Sequence, residues 1–139
     1  MLEPQYSIRL YYSTYTMIVL ILYGFYCKLY LLSLCYFCGL LTSLNHWKYP
    51  IDGNNRLLDL CVIRFSGLYH YYYSWLIPYT SYFIYYHIWI FLSLMCYCGS
   101  CYYRTKNQNL CSIIHLNMHL FGNIAHFILY TGLSKLYIE

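Results

Sequence analysis

Three histidines lie in the apolar segment His115–Tyr130, HLNMHLFGNIAHFILY. On a helix, His115, His119 and His126 fall within an arc of about 40°, since each residue turns the helix by about 100°. Polar side chains in such a segment are costly to bury and usually face a bundle interior, a cavity or a partner. The H-x-x-x-H spacing also brings two imidazoles one turn apart, close enough to share a metal ion.

Two further ionisable residues, His46 and Asp59, stand at the ends of neighbouring apolar segments. If successive segments cross a membrane in alternating directions, both approach the leaflet that also holds His115 and His119. Catalytic zinc is typically held by three protein ligands, with a fourth position left for water, whose pKa the ion lowers. We therefore predict that His46, His115 and His119 bind Zn²⁺.

Hydroxyl groups accompany these residues. Thr42 and Ser43 lie about one helical turn before His46. A carboxylate such as Asp59 can accept a proton from water, and a hydroxyl can stabilise a developing oxyanion. Asp59, Thr42 and Ser43 are therefore predicted to be catalytic. An Asp near a helix start is also favoured by the helix dipole alone, and Arg56 could pair with it.

The histidines also have a non-catalytic interpretation, because polar side chains hydrogen-bond between helices in membranes. His126 lies about 10 Å beyond His119 along a helix and is too deep to share the same ion. His70 stands as far beyond Asp59 as His126 stands beyond His115. We therefore predict a contact between His70 and His126, whether or not zinc binds.

The composition predicts the fold class. The chain has 139 residues, of which 61% are hydrophobic and 9% are charged, against about 25% charged in typical soluble domains. Long uncharged stretches suit membrane helices, which need roughly 20 apolar residues each. We predict an all-α, multi-pass membrane protein, with residues 1–139 forming one bundle of four to five transmembrane helices.

The predicted spans cover residues 9–26, 29–44, 57–76, 81–103 and 110–133, with a polar loop over 45–56. Five spans divide the basic residues unequally between the two sides. One side receives Arg9, Lys48, Arg56, Arg104 and Lys106, and the other receives Lys28 and Lys135. Because Lys and Arg collect in cytoplasmic loops, the N-terminus is predicted to be cytosolic.

The eight cysteines lie mostly in apolar segments and are predicted to be reduced, buried thiols. The spacing of Cys96, Cys98 and Cys101 could also serve zinc, redox chemistry or acylation. A net charge of +4 gives no case for nucleic-acid binding. Membrane lipids are the expected partners, and no protein partner is indicated.

The motifs together resemble the membrane hydrolase superfamily of the alkaline ceramidases and the progestin and adipoQ receptors. The matching residues are Thr42 with His46 (TSLNH), Asp59 (RLLDL), and His115 with His119 (HLNMH). Thr42 stands where that superfamily has serine, and the chain has room for about five spans instead of seven. The resemblance implies a reduced member that holds zinc and hydrolyses a lipid amide.

The layout is also similar to that of multi-pass membrane proteins of large DNA viruses. Two functions therefore remain open from the sequence. The first is a zinc-dependent lipid amide or ester hydrolase with its site near the cytosolic leaflet. The alternative is a non-enzymatic membrane structural or interaction protein, viral in character, whose histidines only pack the bundle.

Overall fold

Helices make up nearly all of the chain. The computed structural model describes residues 2–50 and 53–137, and every regular element within them is helical. Six α-helices are followed by a short 3₁₀ turn: α1 (Pro4–Thr14), α2 (Met17–Tyr26), α3 (Tyr30–Lys48), α4 (Asn54–Ser74), α5 (Thr80–Tyr103), α6 (Gln108–Ser134) and the turn Lys135–Tyr137. The all-α prediction is confirmed.

The first predicted span, residues 9–26, is divided between two helices. The chain turns at residues 15 and 16, between α1 and α2. Just before the turn, the hydroxyls of Ser13 and Thr14 both donate to the Leu10 carbonyl at 2.8 Å. At the junction the backbone bonds shorten to three residues, from the Tyr15 N–H to the Tyr12 carbonyl and from the Thr16 N–H to the Ser13 carbonyl. The helix predicted over this segment is therefore interrupted at residues 15 and 16.

The next two connections lie near their predicted positions. Lys28, between α2 and α3, has a φ of 61°, in the left-handed region that reverses a chain. The polar loop predicted over 45–56 is shorter than expected, because α3 and α4 take up its two ends. Residues 51 and 52 of this predicted loop lie outside the described residues.

Helix α6 is the centre of the bundle. It packs along α5 and also contacts α1 and α2, while α3 packs against α1, α2 and α4. In the described part of the chain, the backbones of the consecutive helices α4 and α5 approach each other at few points. A gap therefore lies between α4 and α5, and α3 and α6 close its inner side. Near the connection between α4 and α5, the two helices are joined by ring contacts such as that of Tyr71 with His87, whose centroids are 5.4 Å apart.

The outer surface of the bundle is apolar. Large hydrophobic side chains are exposed on the helices, among them Val19 (69%), Phe65 (67%), Leu68 (71%) and Phe91 (62%). Helix α5 has 24 residues and contains an 18-residue window with a mean hydropathy of 1.3, and it is the one described helix that is both long and apolar enough to cross a membrane. Contiguous exposed apolar surface on this scale is rare in soluble monomers.

The predicted contact between His70 and His126 is confirmed, with ring centroids 4.6 Å apart. His70 is fully buried. Its Nδ1 donates to the Ser66 carbonyl at 2.7 Å, which leaves Nε2 to accept a hydrogen bond from the Tyr130 hydroxyl at 2.9 Å. His126 Nδ1 donates in the same way, to the Gly122 carbonyl at 2.6 Å. These imidazoles join α4 to α6.

Replacement of Tyr130 by phenylalanine is expected to lower the free energy of unfolding by about 1 kcal/mol or more, because a buried His70 Nε2 loses its donor. Thermal unfolding of the purified chain in detergent measures the change. Tyr26→Phe is the control, since Tyr26 is 83% exposed. An equal loss of stability in both variants would contradict a role for the Tyr130–His70 hydrogen bond.

Candidate functional site

A cavity of about 740 Å³ lies between α3, α4, α5 and α6, along the gap between α4 and α5. Its volume lies within the range of roughly 300–1,000 Å³ that is typical of small-molecule sites. All three predicted metal ligands and two of the three predicted catalytic residues line it: Ser43, His46, Asp59, His115 and His119. Most of the remaining wall is apolar.

Asp59 and the two predicted hydroxyls form one hydrogen-bonded group. Ser43 Oγ donates to Asp59 Oδ1 at 2.6 Å, and Thr42 Oγ1 lies 3.1 Å from the same oxygen. Thr42 is also 3.1 Å from the Gly39 carbonyl, so its single proton is shared between two acceptors. Ser43 is therefore the main donor to Asp59, and both residues are buried.

The packing of α3 on α4 produces this arrangement. Ser43 and Thr42 are consecutive on α3, so their side chains diverge by about 100° around the helix axis. Both still reach Asp59, because its carboxylate projects from α4 into the space between them. Buried polar groups are stable only when hydrogen-bonded, and the two hydroxyls supply those bonds.

The histidine pair on α6 faces the same cavity. The ring centroids of His115 and His119 are 5.1 Å apart. The Ser100 hydroxyl donates to the Tyr97 carbonyl at 2.8 Å and lies 3.3 Å from His115 Nδ1. Ser100 Oγ therefore accepts a hydrogen bond from His115 Nδ1–H, which leaves the lone pair of His115 on Nε2.

His119 shares one feature with His87 on α5, a buried Nε2 atom that has no hydrogen-bond partner among the described residues. A buried polar atom without a partner costs about 1–3 kcal/mol. An imidazole nitrogen in this state is suited to bind a metal ion or to accept a proton from a ligand.

His46 lies on the opposite wall, near the end of α3. It is buried, and it is close enough to interact electrostatically with both Asp59 and His115. The Trp47 indole contacts both imidazoles, with centroid distances of 4.6 Å to His46 and 5.3 Å to His115. The structure thus brings the predicted residues to one cavity.

The side chains are neighbours but not a closed ligand set. Across residues 2–50 and 53–137, no three His, Cys, Asp or Glu side chains are already arranged to hold a metal ion. The cysteines of these ranges are all free thiols, but only Cys27 and Cys111 are buried, so the prediction that the cysteines are buried is wrong for most of them. Binding by His46, His115 and His119 would require their rings to turn toward a common point, and the zinc site stays a prediction.

Several lining residues were missed by the sequence reasoning. Trp47 and Ser100 both contact His115, and no motif in the sequence indicates either contact. Arg64 and Arg104 also line the cavity. Nothing in their spacing indicated this, because their position depends on the separation of α4 from α5.

Comparison of the chain with family models, with curated proteins and with solved structures found no significant match. The resemblance to membrane hydrolases therefore rests on the five positions Thr42, His46, Asp59, His115 and His119.

Proposed function

We propose that the chain is a multi-pass membrane hydrolase that cleaves a lipid amide or ester in the cavity between α3 and α6. The membrane assignment is supported by the apolar outer surface and by α5. The remaining helices then cross or enter the bilayer beside α5. The distribution of Lys and Arg favours a cytosolic N-terminus and a site near the cytosolic leaflet.

One observation carries the proposal: a buried carboxylate, held by two hydroxyls, shares a cavity with three imidazoles. Asp59 is placed to take a proton from a water molecule that attacks the substrate carbonyl. The hydroxyls of Ser43 and Thr42 donate to the carboxylate and orient it. The apolar wall excludes bulk water and accepts the lipid chain.

The residues present suit zinc as the cofactor. Imidazole nitrogen is a preferred zinc ligand, and the buried, unpartnered Nε2 of His119 and the Nε2 lone pair of His115 are two such donors. His46 is the third. When bound, zinc would polarise the substrate carbonyl and lower the pKa of a water molecule. The Asp59 carboxylate accepts the proton of that water molecule, and the hydroxyls of Ser43 and Thr42 hold the carboxylate in position.

Elemental analysis of the detergent-purified protein tests the proposal. We expect about one zinc per chain, and its loss in the His119→Ala variant. His87→Ala is the matched control, because His87 lies on α5 outside the cavity lining. Retention of zinc in both variants, or absence of zinc from the unchanged protein, would contradict the assignment of His119 as a ligand.

The second candidate function, a structural membrane protein, is favoured by a different observation. His70, His87 and His126 each donate Nδ1 to a carbonyl of their own helix, at 2.7, 2.8 and 2.6 Å. Histidines in this bundle can therefore serve packing alone. Under this function, His119→Ala would change thermal stability without any change in metal content or in lipid turnover.

A further inference from the structure

The cavity wall carries more positive than negative charge. Among the described residues it includes three arginines, Arg56, Arg64 and Arg104, and a single carboxylate, Asp59. With the histidines neutral, three positive charges and one negative charge give a net charge of +2. Charges on low-dielectric walls are weakly screened and attract a ligand of opposite sign.

Of these three arginines, Arg64 makes the fewest polar contacts with the rest of the described chain. Within residues 2–50 and 53–137, its guanidinium makes no hydrogen bond or ion pair. It lies five residues beyond Asp59 on α4, about 7.5 Å further along the helix axis and about 140° around it. An unpaired ionisable group inside a membrane helix is expected to have a functional partner.

We propose that the cavity binds a lipid with an anionic headgroup, phosphate or carboxylate, and that Arg64 selects it. The statement that this lipid is the substrate rests on the proposed function, whereas the binding of the lipid does not. The guanidinium presents paired donors that match the oxygens of either group. The headgroup lies beside Arg64 at the open side of the cavity, within reach of the Asp59 region.

The apolar wall decides between a lipid and a small soluble anion. Beyond the arginines, the cavity is lined by side chains such as Ile63, Leu68, Ile90 and Leu94. Leu68 and Leu94 are also 71% and 57% exposed, which marks the gap between α4 and α5 as the open side. A hydrocarbon chain fills this space favourably, at about 25 cal/mol per Å² of apolar surface removed from water.

The test measures binding without turnover. Two radiolabelled ether lipids with the same alkyl chain, 1-O-alkylglycerol 3-phosphate and 1-O-alkylglycerol, resist ester and amide hydrolysis. Their dissociation constants are measured for the full chain in nonionic detergent with a chelator present. We expect the phosphate lipid to bind about tenfold more tightly, because a charged hydrogen bond contributes on that scale.

Arg64→Gln should reduce this preference to less than about threefold and leave the binding of 1-O-alkylglycerol unchanged. Lys106→Gln is the control, since it removes the same charge outside the cavity lining. Equal affinity for both lipids in the unchanged protein would overturn the proposal. An equal effect of both variants would also overturn it, by showing a general charge effect.

Competition with free glycerol 3-phosphate distinguishes a site for a lipid headgroup from a site for a soluble phosphate. Failure to displace the phosphate lipid at millimolar concentration is expected for a lipid site. Full displacement would show a soluble-phosphate site and overturn the lipid assignment. Since neither lipid is cleaved and no metal is available, a protein without hydrolase activity would still show the tenfold preference.

Discussion

Replacement of Asp59 by asparagine is expected to lower lipid hydrolysis at least about a hundredfold while the helices remain folded. Asparagine keeps an oxygen that accepts the Ser43 and Thr42 hydroxyls, which lie 2.6 and 3.1 Å from Asp59 Oδ1. It cannot accept a proton from water, and general base catalysis contributes about 10²–10⁴-fold. The measurement is the initial rate of fatty-acid release from a panel of fluorescent lipid esters and amides.

The hydroxyls of Ser43 and Thr42 are expected to affect the rate of hydrolysis to different extents. Ser43→Ala should lower the rate more than Thr42→Ala, because Thr42 divides its proton between Asp59 and the Gly39 carbonyl. Circular dichroism and thermal unfolding check that each variant is folded. An Asp59→Asn variant that is folded and as active as the unchanged chain would remove Asp59 from the mechanism.

Replacement of Gly24 by alanine is expected to cost about 1–3 kcal/mol of stability, as overpacking of a filled core generally does. Gly24 lies where α2 meets α3 and α6. A Cβ at this position would overlap the Ser33 hydroxyl and approach Tyr130 Cε2 to 2.9 Å. Chemical denaturation of the detergent-solubilised chain, followed by circular dichroism, measures the loss.

Gly67→Ala is the matched control, since a Cβ on this helical glycine meets nothing within 4 Å. It should be neutral or stabilising by about 0.5–1 kcal/mol, because alanine is the better helix former. Adding Ser33→Ala should recover part of the Gly24→Ala loss, as Ser33 Oγ is buried without a hydrogen-bond partner. Equal stability of the Gly24 and Gly67 variants would show that α2 is not packed this closely.

The parts of the fold that follow from periodicity could be predicted from the sequence. The contact between His70 and His126 came from counting residues along two helices from Asp59 and His115, and it holds because helical rise is constant. The break near residue 15 could not be predicted in this way. Ser13 and Thr14 donate to the Leu10 carbonyl beside the break. However, the same kind of bond is made inside uninterrupted helices by Ser100, Ser112 and Thr131.

The candidate site could also be predicted in part from the sequence. Alternation of the helices was enough to place His46, Asp59, His115 and His119 at one end of the bundle. The roles of Ser100 and Arg64 could not be derived, because side-chain partners depend on helix rotation and separation. A sequence of apolar helices does not indicate which consecutive pair will stand apart.

The gap between α4 and α5 has a consequence for any ligand of this protein. For a bundle embedded as proposed, the cavity opens sideways into the hydrocarbon layer, so a lipid reaches it by two-dimensional diffusion. Occupancy then follows the mole fraction of the ligand in the bilayer and not its concentration in the surrounding water. Diluting a fixed amount of ligand with inert lipid would empty the cavity, whereas diluting the vesicles with buffer would not.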